Sequence, residues 1–179
     1  MLHTFRSLFA PFAPLGLAIL LVACSDSGDP ATSPAQTPRF TAGSGSASTL
    51  LGRATFAQGS NFNVKRITGD WHVEVKAHRE LDLAVQQIVF QPGGHSGWHS
   101  HPGPVFIQVV SGTMTFYESD DPDCTPIVRS AGQGFLDVGE HAHIARNETG
   151  SPATNVVTYL APPGAALRID QPNPGNCPF

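Results

Sequence analysis

The stretch Gly93-Gly94-His95-Ser96-Gly97-Trp98-His99-Ser100-His101 decides how this chain reads. A glycine-rich turn leads into two imidazoles two residues apart. On an extended strand, residues i and i+2 point to the same face, so His99 and His101 aim two nitrogen donors at one point. A borderline transition metal needs that arrangement. A third histidine, His143, stands in a second loop-and-strand segment, Gly132-Gln133-Gly134-Phe135-Leu136-Asp137-Val138-Gly139-Glu140-His141-Ala142-His143-Ile144-Ala145-Arg146-Asn147. Three histidines brought together on a β scaffold would make a metal site. A single His-x-His is weak evidence of one; the two segments together are stronger.

Working outward, strand-like segments follow one another and helical periodicity is absent. Trp71–Lys76 alternates apolar and polar with period two, which predicts a half-buried strand. Leu83–Phe90, Val105–Val110, Thr113–Tyr117, Gly134–Val138, His143–Arg146 and Asn155–Leu160 read as further strands. Ser111-Gly112 predicts a hairpin between the segments on either side of it. Gly and Pro, 18 and 16 residues of 179, punctuate nearly every join. Many short strands with such turns argue an all-β sandwich or barrel over residues 50–179, the right size for one domain.

The two histidine segments together resemble the cupin superfamily. Its first motif runs Gly, five residues, His-x-His, three or four residues, Glu, six residues, Gly. This chain has Gly93, His99, His101, then Val105 at the glutamate position, and Gly112. The second motif runs Gly, five residues, Pro-x-Gly, two residues, His, three residues, Asn. Here Gly132, His143 and Asn147 keep the spacing, while Val138 and Glu140 replace the proline and glycine. The resemblance implies a double-stranded β-helix, a jelly-roll barrel with a metal inside its mouth.

It also implies a ligand set. Typical cupins hold their metal with three histidines and a glutamate, so this chain resembles a three-histidine variant, with His99, His101 and His143 as ligands. Some cupins of that kind, thiol dioxygenases among them, use iron and let substrate coordinate. One divalent ion, Fe, Mn, Ni, Cu or Zn, is the expected cofactor, since neutral imidazoles accept most late first-row ions. Further ligand or acid–base candidates are His95 in the glycine turn, His141, which shares strand parity with His143, and the nearby Asp137 and Glu140. Gln108, three residues after Val105, has the opposite strand parity and should face away. A barrel that has kept its fold and lost its metal is the alternative, and Val105 argues for it. Trp98 and Phe106 flank the site and are expected to pack in the core rather than line a pocket. Asn147 is expected to cap a turn.

Two classes of function stay open. One is a dioxygenase-type oxidoreductase acting on a small molecule; the other is a binding or sensing barrel without catalysis. Fold does not choose between them. The resemblance also leaves a homodimer open.

The N-terminus carries a separate message. Residues 1–23 have Arg6, no acid and an apolar run from Leu15 to Val22, too short for a comfortable membrane span, and read as a cleaved signal. Leu21-Val22-Ala23-Cys24 resembles the bacterial lipobox, in which the cysteine becomes lipidated. The expectation is a domain anchored to the cell envelope through Cys24 and working outside the cytoplasm. Residues 24–49, rich in Ser, Thr, Ala, Pro and Gly, read as a disordered tether.

With Cys24 set aside, Cys124 and Cys177 form an even pair, expected to be oxidised to each other in that compartment. Closing a loop of about fifty residues should stabilise by roughly 4 kcal/mol in the chain-entropy model. The net charge is −4, and roughly −5 once the segment carrying Arg6 is removed. Such mild acidity gives no reason to expect a nucleic-acid partner.

Overall fold

The computed structural model describes residues 40–57 and 62–179 of the chain. The signal segment 1–23, the lipidation candidate Cys24 and most of the expected tether lie outside the described residues. All regular structure in the described residues is β: β1 (Ser44–Phe56), β2 (Phe62–Thr68), β3 (Trp71–Ala77), β4 (Leu81–His95), β5 (His99–Ser100) and β6 (Val105–Ser111). Then come β7 (Thr113–Glu118), β8 (Ile127–Ser130), β9 (Gly134–Asp137), β10 (His143–Arg146), β11 (Ala153–Ala161) and β12 (Ile169–Asp170).

The strands close into a nearly complete antiparallel barrel of double-stranded β-helix form. Along one side run β1, β4, β11, β6 and β9; along the other run β12, β5, β10, β7 and β8. The two sets meet where His95, at the end of β4, opposes Arg146 of β10. Burial alternates along β6, β9 and β11, as strands with one face on a core require. The inward residues Phe90, Ile107, Val109, Met114, Phe116, Phe135 and Val157 come from both sets and pack as one core.

Three expectations are corrected. β1 starts at Ser44, so the fold begins six residues before the expected boundary at 50, and Thr41 already bonds the Gln171 carbonyl. This strand is held by its backbone ladder to β4, and its inward side chains, Ser46 and Ser48, line a pocket instead of a packed core. A strand whose inner face meets a cavity needs no apolar residues, which is why this segment reads as tether. Ser111-Gly112 does not make a hairpin either. β6 pairs with β11 and β9 whereas β7 pairs with β10 and β8, so the chain crosses from one sheet to the other there. Trp71–Ala77 is a strand, but it forms a separate two-stranded sheet with β2, and Trp71 and Val73 are exposed rather than half-buried.

Cys124 and Cys177 are joined by a disulfide. It ties the C-terminal tail to the loop after β7, and the Asn176 side-chain amide donates to the Glu118 and Asp121 carbonyls beside it.

Candidate metal centre

His99 lies on β5, His101 just beyond it, and His143 opens β10 directly opposite His99. Gly97 makes the approach to β5 possible. A Cβ there would lie 2.1 Å from the Thr41 carbonyl oxygen, and its φ of +70° suits glycine. Packed on that segment, the Trp98 amide donates to Thr41 Oγ1 at 2.6 Å, and the Gln171 amide donates to the Trp98 carbonyl. Two short strands thus present three imidazoles to one point inside the barrel. Their ring centroids are 4.5, 4.8 and 5.2 Å apart, and one donor atom from each lies within 4.8 Å of the others.

Backbone carbonyls orient two of the rings. His99 Nδ1 contacts the Gly97 carbonyl at 2.9 Å, and His101 Nδ1 contacts the Leu167 carbonyl at 2.6 Å. A carbonyl only accepts, so each Nδ1 carries the proton and each Nε2 is left bare for a cation. Burial, aided by His143, holds His99 well below the usual histidine range and His101 down to about 4. Both are neutral at neutral pH, the state in which imidazole ligates.

A carboxylate completes the cluster. Asp137, at the end of β9, puts Oδ2 3.0 Å from His143 Nδ1 and 3.7 Å from His101 Nε2. Its other oxygen accepts the Gly139 amide at 2.8 Å. Burial pushes the Asp137 carboxyl up, but His143, the Gly139 amide and His101 outweigh it and leave the group below the ordinary aspartate value. Asp137 Oδ2 and His143 Nδ1 are both buried without a hydrogen-bond partner, close to one another but not aligned as donor and acceptor. Unsatisfied buried polar atoms converging with two bare imidazole nitrogens are what a divalent cation would satisfy. The donor set fits such an ion.

Of the extra candidates Asp137 alone stands against the cluster; His95, His141 and Glu140 do not. His95 accepts the Gly97 amide through Nδ1. His141 is exposed and pairs with Asp120 at 3.4 Å on the surface. Glu140 is exposed as well. In the loop between β9 and β10, His141 and Glu140 lie beyond the last inward residue, Asp137, so strand parity does not govern them. Gln108 faces outward, as parity requires, and so does Phe106, which is 46% exposed instead of core. Trp98 is buried against Tyr117, Ile144 and Cys177. Asn147 does more than cap a turn: fully buried, its side-chain amide reaches the carbonyls of Phe90, Gln91 and Ser151 and ties the exit of β10 to β4.

A pocket of about 290 Å³ opens onto His99 and His101 and is lined by Ser46, Ser48, Gln86, Tyr159 and Arg168 among others. A narrow inner space of about 30 Å³ continues it past His143 and Asn155. The Tyr159 hydroxyl donates to Gln86 Oε1 at 2.9 Å, and burial pushes that phenol up to about 12, so it stays protonated. A larger hollow outside the barrel, lined by Phe56, Leu83, Phe106 and Leu160, is apolar and offers a cation nothing.

Residues 86–159 match the Cupin_2 family, the cupin domain. That segment runs from β4 to β11 and contains all three histidines and Asp137. Among curated proteins, no sequence matches the chain. Solved structures with similar folds include an uncharacterised conserved protein with a double-stranded β-helix domain from Klebsiella pneumoniae, 19% identical over 64% of this chain and 88% of that one, with a TM-score of 0.43. The polyketide cyclase RemF from Streptomyces resistomycificus is 15% identical over 51% of this chain and 64% of that one, with a TM-score of 0.42. The lyase DddQ for DMSP from Ruegeria pomeroyi is 17% identical over 49% of this chain and 42% of that one, with a TM-score of 0.42.

Proposed function

We propose that this cupin barrel holds one divalent transition metal through His99, His101 and His143, and serves as a dioxygenase-type oxidoreductase on a small polar molecule. The observation that carries this reading is the convergence of three buried imidazoles, two of them fixed with Nε2 bare, at the floor of a pocket that opens to solvent. When bound, the metal would supply Lewis-acid or redox chemistry. The chain's own residues do the rest. Carbonyls of Gly97 and Leu167 hold the ligand tautomers. Arg168, Gln86 and the Tyr159 hydroxyl give the pocket polar groups that would orient a small polar ligand, and the apolar residues Ile88 and Phe90 limit its width. Fe, Mn, Ni, Cu and Zn all suit neutral imidazoles.

The sequence of residues 1–24 supports a further part of the proposal: the barrel is tethered to the bacterial cell envelope through lipidated Cys24 and works outside the cytoplasm. The disulfide between Cys124 and Cys177 suits that compartment.

A second reading, a binding or sensing barrel, is favoured by one observation. Among the described residues, no acid or base besides Asp137 and the histidines themselves joins the cluster, since His95, His141 and Glu140 stand apart from it. Oxygen uptake by the iron-loaded protein, screened against small polar organic compounds, separates the two readings. Uptake that depends on one compound and disappears in His101→Ala supports the enzyme. Tight, saturable binding of a compound with no uptake supports the binding barrel.

A further inference from the structure

The position where the family pattern has glutamate is Val105, and Val105 pairs directly with Asp137 across the ladder between β6 and β9. Both side chains are buried on the inner face. Directly opposed residues in an antiparallel pair have Cβ atoms about 4.5–5.5 Å apart. A carboxylate missing from β6 is therefore present one strand over, at the same height in the barrel.

Resting on the three-histidine reading, we propose that Asp137 is the fourth protein ligand of the metal centre, taking through Oδ2 the place that Val105 leaves without a carboxylate. With His143 presenting Nδ1, the separations admit one cation. Two donors each about 2.1 Å from one ion stand roughly 3.0 Å apart at a right angle and roughly 3.4 Å apart at the tetrahedral angle. Asp137 Oδ2 stands 3.0 Å from His143 Nδ1 and 3.7 Å from His101 Nε2. The rest of the carboxylate is already held. Oδ1 accepts the Gly139 amide, and Gly139 has a φ of +87° with the Gly103 carbonyl oxygen 2.8 Å from where a Cβ would sit. That glycine fixes the turn after β9 and with it the aspartate, leaving Oδ2 buried and without a hydrogen bond. Burying an unpartnered carboxylate oxygen is costly, and a cation is the partner its neighbours point to.

Chemically, the carboxylate restores one negative charge and one hard oxygen donor to the set. The centre then favours Fe(II) and Mn(II) more than a neutral three-imidazole site would.

The test uses the full chain loaded with Zn(II) or Mn(II), as wild type, Asp137→Asn, and the cross-strand exchange Val105→Glu/Asp137→Val. X-ray absorption of the zinc-loaded proteins is expected to show three imidazoles and one further oxygen from protein in wild type, and loss of that oxygen in Asp137→Asn. Mn(II) titration is expected to weaken by at least about 10–100-fold in Asp137→Asn, with the exchange variant regaining most of it. An identical zinc shell in wild type and Asp137→Asn overturns the proposal and leaves Asp137 as a group that only positions His143. Mn(II) affinity unchanged in Asp137→Asn overturns it as well. Wild-type protein that takes up neither ion overturns the three-histidine centre itself, a distinct failure.

Discussion

Val105 and Asp137 face each other across the β6–β9 ladder, both buried, with the Asp137 carboxylate 3.0 Å from His143. A glutamate placed at Val105 would therefore bring a second carboxylate into a closed space already holding one. In metal-free protein, Val105→Glu is expected to destabilise the fold by at least about 2 kcal/mol, because the added group is buried beside a like charge. A divalent ion should recover much of that loss by binding only the folded state. Thermal unfolding of the variant with and without Zn(II) checks both halves.

Asn147 is the joint between β10 and β4. Its amide serves three carbonyls, Phe90, Gln91 and Ser151, and its Oδ1 accepts from the Thr149 amide and hydroxyl. Asn147→Ala removes these bonds, among them the buried one to the Phe90 carbonyl, and should cost about 2–4 kcal/mol. Urea unfolding at pH 7 measures it, and Asn147→Asp should recover only the contacts made through Oδ1.

The disulfide spans a sequence separation of 53 residues. Reduction, or Cys177→Ser, should lower stability by about 4 kcal/mol in the chain-entropy model. Metal uptake should persist, since the bridge is anchored outside the histidine cluster, against Trp98 and Tyr117. Parallel unfolding and metal titration of the reduced protein check the two claims separately.

Asp82 sets an acid limit on the fold. Its carboxylate accepts the Thr55 hydroxyl, the Gly164 amide and the Arg53 guanidinium, fastening the end of β1 and the turn after β11 to β4. The Thr55 and Gly164 hydrogen bonds, with Arg53 adding to them against the effect of burial, hold its carboxyl below the ordinary value of 3.8. A depressed carboxyl contributes stability that is present above its unfolded value and lost as pH falls through the folded one. Wild type should therefore lose this contribution only below about pH 3.8, and Asp82→Asn should be less stable at neutral pH with a flatter acid limb. Unfolding midpoints from pH 7 to 2.5 measure the difference.

The barrel was legible in the sequence wherever its strands carry an apolar inner face. In β6, β9 and β11 burial alternates in a way that only a one-sided core explains. β1 was not legible, because Ser46 and Ser48 face a pocket and its register is written in the partner strand. The Ser111-Gly112 turn misleads for a related reason: two adjacent segments predict a hairpin, while a jelly roll sends them to different sheets. His99, His101 and His143 stand out by spacing alone. Asp137 reads only as one nearby candidate among several; the register between β6 and β9 is needed to single it out.

The most direct test of the account is the metal content of the envelope-exported protein, purified without a histidine tag and analysed beside His99→Ala. The account predicts about one equivalent of a transition metal in wild type and almost none in the variant, with both proteins folded, as for any closed set of imidazole ligands. A well-folded wild-type protein that carries no metal and takes up none of Fe, Mn, Ni, Cu or Zn would contradict it.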